Sequence, residues 1–142
     1  PGAGHRDRRL GLKVPEFKFN SAQLVLPVSD VTAARSFYQD RLGFETIYLN
    51  RDDDDPDGNF ATLIRDTARL MLILDEGDRS HPWSIAGTGC MLLQVKNVEK
   101  VHQWATERGV DAPLERQPWG AMGFLMTDPS GNLIRVVEDL NA

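Results

Sequence analysis

The chain has 142 residues, 41% apolar and 26% charged, with a formal net charge of −5. That is the balance of an ordinary globular protein, large enough to bury a core without disulfides or a structural metal. No apolar run approaches the roughly 20 residues of a membrane-crossing helix, and after Arg9 the basic residues form no stripe, so neither a membrane nor nucleic acid is expected as the main partner.

The acidic balance favours a neutral or cationic ligand. Cys90 is the single cysteine; it forms no internal disulfide, and the expected compartment is a reducing cytoplasm. The opening segment PGAGHRDRRLGLKVPEF carries an Arg cluster and no apolar signal core. Residues 1–20 read as an arm or linker ahead of a single domain over 21–142.

From Leu24, LVLPVSDVTAARSFYQDRLGFE predicts a strand, a polar stop, a helix and a glycine. Asp30 is a good N-cap because its short carboxylate accepts from the free amides of the first turn. Apolar residues at 31, 34, 37 and 42 keep helical spacing, and Gly43 stands where a left-handed cap is expected. ETIYLN then reads as a strand. In the acidic run RDDDDPDGNF, residues Asp53, Asp55, Asp57 and Gly58 fit the opening of a calcium loop. The closing position is Ile64, where a bidentate Glu is needed, so the run is read as a solvated hairpin loop.

From Met91, MLLQVKNVEKVHQWATERGVDA repeats the first unit. Val28 matches Val95, Asp30 matches Asn97, Val31 matches Val98 and Phe37 matches Trp104. Asn97 is the second N-cap and Gly109 the second cap glycine, and 98, 101, 104 and 105 keep helical spacing. The segment QPWGAMGFLMTDPSGNLIRVVED at 117–139 reads as a β-hairpin about its Asp-Pro-Ser-Gly-Asn turn. It aligns with RDTARLMLIL from Arg65, so that Asp66 falls on Asp128 and residues 70–72 on 134–136. Two tandem βαβββ modules, about 21–80 and 88–140, predict an α+β domain. Its helices cover the outer face of a mixed sheet, and the other face curves into a cup.

A nucleophilic Cys90 would need a base from His5, His81 or His102; a small buried cysteine is the favoured reading. Trp104 takes a helical core position and is read as packing. Trp83 and Trp119 follow prolines in HPW and QPW loops. Each is read either as lining a small-molecule pocket or as a rim or dimer-interface residue. No G-x-S-x-G, Walker or Rossmann pattern is present.

PVSDVTAARSFYQDRLGFE, QPWG and DPSGNLI together resemble the vicinal oxygen chelate superfamily, which includes glyoxalase I, extradiol dioxygenases and bleomycin-resistance proteins. The resemblance covers about residues 21–140 and implies paired βαβββ modules. In the enzymes of that family it also implies one divalent metal, held by residues from the first and last strand of each module. By position those ligands fall on Gln23, Met71 (with Leu72 as the alternative), Cys90 and Arg135. Gln can ligate through its amide oxygen, whereas a thioether and a thiolate suit no hard metal. A guanidinium about 5 Å from a dication would cost roughly 6–7 kcal/mol at an effective dielectric of about 20. The usual metal site is therefore expected to be missing, with no catalytic residue and no cofactor assigned.

Strand alternation puts Arg135 on the cup face with Met71, Cys90 and Gln23. There it binds a carboxylate, phosphate or ring oxygen of a ligand, or pairs with Asp75 or another acid of the first module. The leading expectation is a small-molecule binder resembling the metal-free, bleomycin-resistance branch. It would be a cytoplasmic homodimer, side-by-side or module-swapped, that sequesters an aromatic or natural-product antibiotic. Ligand contacts are expected from Trp119, Trp83, Arg135, Phe60, Met71, Cys90 and Gln23. The alternative is a metal-dependent lyase or dioxygenase drawing ligands from His81, Glu76 or Asp75. A third reading is a structural or regulatory domain.

Overall fold

The computed structural model describes residues 4–6, 13–51, 57–79 and 85–141. Two short strands in the arm, β1 (Gly4–Arg6) and β2 (Lys13–Pro15), pair antiparallel. The first module follows as β3 (Leu24–Val28), α1 (Val31–Leu42), β4 (Glu45–Asn50), β5 (Phe60–Arg65) and β6 (Ala68–Leu74). The second is β7 (Cys90–Gln94), α2 (Val98–Glu107), β8 (Glu115–Arg116), β9 (Ala121–Thr127) and β10 (Leu133–Asp139).

Each module forms its own four-stranded mixed sheet, in the orders β3-β6-β5-β4 and β7-β10-β9-β8. In both, the first strand lies parallel to the last, and the remaining pairs are antiparallel. The α+β fold of two βαβββ modules is thus the one the repeat predicts. The register repeats as well. Met71 lies between Val25 and Thr62, and Arg135 lies between Leu92 and Leu125.

Capping explains where both helices start. Asp30 takes an extended φ of −153° and accepts the Ala33 N–H at 3.0 Å. Asn97 adopts φ +57° and accepts from Lys100 at 3.3 Å, a conformation Asn tolerates better than most residues. Glu138 of β10 adds a carboxylate at the α2 N-terminus, accepting the Val98 N–H at 3.0 Å. The amides of Val98 and then Asn97 hold its pKa below the usual carboxylate range. Gly43 closes α1 at φ +73°, donating its N–H to Gln39, in the left-handed conformation that glycine adopts without a steric penalty.

Burial alternates through β6 and through residues 133–136 of β10, as a half-covered sheet requires. Leu70, Leu72, Ile134 and Val136 are fully buried beneath the helices, while Met71, Ile73 and Arg135 are only partly covered. Both helices and both sheets share one core cluster.

The modules are tied by a buried polar network. The turn at 128–132, between β9 and β10, reaches across to the first module. Asn132 donates from Nδ2 to the Pro27 carbonyl at 2.7 Å and to Asp128 at 2.9 Å, and its Oδ1 accepts the Gly89 N–H at 2.7 Å. Tyr38 of α1 donates its hydroxyl to Asp128 at 2.8 Å. Burial, and then the Asp128 charge, push the Tyr38 phenol well above its ordinary acidity range, so it stays a neutral donor. Gly89 is needed for the close approach, because a Cβ there would collide with Leu26 and press on the Asn132 amide.

Two expectations are corrected here. Cys90 is exposed, not buried: it opens β7, an edge strand, and shares with Leu133 the sheet face that no helix covers. Trp104 is 44% exposed and does not fill the core. Its indole N–H bonds the Asp40 carbonyl at 3.2 Å, and Arg108 stacks 3.1 Å above its ring, so it bridges the seam between α1 and α2.

Candidate functional site

The helix-free faces of the two sheets carry most of the residues expected to form the site. On the first sheet, Met71 and Phe60 share that face with Val25 and Thr62. Phe60 stacks at a tilt on Tyr48, with ring centroids 5.5 Å apart. Gln23 lies just before β3 and is exposed. On the second sheet, Cys90 and Arg135 share the face with Leu92, Leu125 and Leu133. Leu92 is 57% exposed.

Trp119 belongs to neither strand face. It is 67% exposed in the turn between β8 and β9, where its carbonyl accepts a long bond from the Asn141 side chain. Trp83 and His81 fall outside the described residues, as do Asp53 and Asp55.

The Arg135 side chain is half-buried and makes no hydrogen bond or ion pair with any described residue. The expected alternative, a pair with Asp75, is corrected: Asp75 is fully engaged elsewhere. Its carboxylate accepts the Ala86 and Gly77 amides at 3.0 and 2.9 Å and pairs with Arg79 at 3.0 Å. Those amides, and then Arg79, bring its pKa from the ordinary 3.8 down to about 2.

A carboxyl more acidic in the folded chain stabilises the fold above its unfolded pKa and loses that contribution as pH falls through the folded value. The loop clamp is therefore complete above pH 3.8 and released between 3.8 and about 2. In an acid titration followed by NMR, the Gly77 and Ala86 amides are expected to move with a midpoint near the lower value. A midpoint at the ordinary carboxylate value would rule the clamp out.

Sequence reading did not anticipate Arg69. It lies on β6 two residues before Met71, hence on the same sheet face. Its Nε is buried and has no hydrogen-bond partner among the described residues, which carries a real cost for a guanidinium N–H. The helix-free faces thus combine apolar area with two guanidinium groups, one on each sheet, that no acid among the described residues neutralises.

These faces fit a divalent metal poorly. The four positions implied by the resemblance offer one amide, one thioether, one thiol and one guanidinium. Glu76 is exposed and Asp75 is held in its loop. No three His, Cys, Asp or Glu side chains gather to hold a metal among the described residues. What the arrangement can do chemically is bury an organic body and donate hydrogen bonds to an acceptor.

Paired βαβββ modules with bare, apolar sheet faces define a class of ligand-holding folds. Residues 20–136 match the family model described as Glyoxalase/Bleomycin resistance protein/Dioxygenase superfamily, and the chain belongs to that superfamily. A bleomycin resistance protein of Geobacillus stearothermophilus is 30% identical over 132 residues, covering 82% of this chain and 95% of the relative. Among solved structures, a superfamily member from Sphaerobacter thermophilus is 28% identical with a TM-score of 0.68, covering 85% of this chain and 98% of that one. The bleomycin-binding protein of Streptomyces verticillus, complexed with copper(II)-bleomycin, is 27% identical with a TM-score of 0.64, covering 84% and 96%. No helix among the described residues is long and apolar enough to cross a membrane.

Proposed function

We propose that this chain sequesters an aromatic or natural-product small molecule on its helix-free sheet faces, as an antibiotic-binding protein without metal chemistry. The observation that carries the reading is the shared register of Met71 and Arg135 on the two sheets. Met71, Cys90 and Arg135 of the implied metal positions lie on strand faces, and with Gln23 just before β3 they make a poor ligand set for a hard metal. The 30% identity to a bleomycin resistance protein supports the same reading.

Stacking on Trp119 and Phe60, burial against Met71, and donation from Arg135 would supply the affinity. Gln23 and Cys90 border the face as secondary contacts, and Trp83 belongs to the same proposed set. Exposed apolar side chains such as Leu92, Leu125, Leu133 and Tyr48 make a large bare surface for a single chain. A homodimer that closes these faces into clefts, in a reducing cytoplasm, fits that surface.

Tryptophan fluorescence should respond saturably to bleomycin or copper(II)-bleomycin. Elemental analysis of protein soaked in zinc, nickel, manganese or ferrous iron should find no stoichiometric metal. One bound metal per chain would replace this reading with the lyase or dioxygenase alternative. A silent fluorescence titration across an aromatic and glycopeptide panel would remove the support for sequestration.

A further inference from the structure

The two modules are not equal on their helix side. In the first, the groove between β3 and α1 is plugged by the turn at 128–132. Asn132 bonds Pro27, Ser130 accepts the Ser29 N–H at 2.8 Å, and Asp128 receives Tyr38. The repeat gives these residues counterparts in the other module. Gln94 stands for Pro27, Lys96 for Ser29, Ala105 for Tyr38 and Ala68 for Asn132. The plugging turn has five residues between its strands, whereas the equivalent turn between β5 and β6 has two, Asp66 and Thr67. A two-residue turn followed by Ala68, facing Ala105 in place of Tyr, lines its groove without filling it.

What remains there is a cavity of about 770 Å³ that Ala68, Gln94 and Lys96 help to line. That is the size of a small-molecule site. Its wall is apolar, with Leu93, Val101 and the exposed Trp104. Its charge is cationic. Among the described residues, Asp66 is the sole acid of the lining and lies 3.4 Å from Arg65, while Lys96 and Lys100 make no ion pair. Trp104 is held rigidly by Asp40 and Arg108, which leaves its other face and edge as a fixed aromatic wall.

We propose that this cavity is a second binding site, separate from the sheet faces, for an amphipathic carboxylate with an aromatic body. The body lies against Trp104 and Leu93, and the carboxylate lies between Lys96 and Lys100. This inference does not depend on the sheet-face reading.

The test uses 2-naphthoate and its cationic counterpart 2-naphthylmethylammonium, titrated into the full-length protein and followed by NMR. Naphthoate is expected to shift the Trp104 indole and the Lys96 and Lys100 amides saturably, and the cation to bind about tenfold more weakly or less. The double variant Lys96→Glu, Lys100→Glu, at two exposed positions, should lose about tenfold in naphthoate affinity with an unchanged fold. Thr67→Trp, filling the mouth from the exposed short turn, should abolish the shifts. Equal affinity for the two probes, or an unaffected double variant, would overturn the site. Shifts confined to Leu92, Leu125 and Trp119 would also overturn it while supporting the sheet-face reading.

Discussion

Replacing Asn132 by Ala is expected to destabilise the protein by about 3–5 kcal/mol, the range of the most damaging single substitutions. The side chain is fully buried and makes three bonds of 2.7–2.9 Å. Alanine deletes all three and strands the Pro27 carbonyl and the Gly89 N–H between the modules. Each orphaned buried backbone group costs about 1–3 kcal/mol, and the vacated volume adds a cavity term. Urea unfolding would measure the effect. Ser130→Ala, which removes only contacts to Ser29 near the surface, should cost about 0.5 kcal/mol or less. If Asn132→Ala cost no more than that, the network could not be what joins the modules.

The second large effect is expected on binding. Arg135→Ala should weaken an aromatic ligand carrying a carboxylate or ring oxygen by about 10- to 100-fold, the worth of one charge-assisted hydrogen bond. The same substitution should leave stability unchanged within about 0.5 kcal/mol, because the guanidinium has no acidic partner among the described residues to lose. Arg135→Lys keeps the charge and loses the planar fork, so an intermediate affinity is expected. Calorimetric titration together with thermal unfolding separates the two quantities. A variant that unfolds early and binds normally would make Arg135 a structural residue.

Much of the fold was legible because the repeat and the strand parity are local. Asp30 and Asn97 announced both helix starts, Gly43 announced the end of α1, and alternation through residues 70–74 and 133–137 sorted core from bare face. That parity put Met71 and Arg135 on equivalent positions before any register was known. Where reading failed, the cause was what happens to cover a residue. Cys90 and Trp104 have the chemistry of core residues, yet one opens an edge strand and the other lies on a helix seam, and neither fact is written in a local pattern. The Asp75 clamp and the Tyr38–Asp128 bond depend on partners brought together only by the folded chain. Arg69 gave no signal either, since an arginine in a strand ordinarily faces water.

The Asn132–Pro27 and Ser130–Ser29 bonds close loops of 105 and 101 residues. The first module therefore leaves the ribosome with its groove between β3 and α1 unfilled. The turn that fills it is synthesised only after a further 101 to 105 residues. Contacts of such long sequence separation are slow to form because their loop entropy is lost before any bond offsets it. A nascent chain truncated before residue 128 would expose the Pro27 carbonyl and the Tyr38 hydroxyl without a partner. Completion of the native core therefore waits until residues 128–132 have been made.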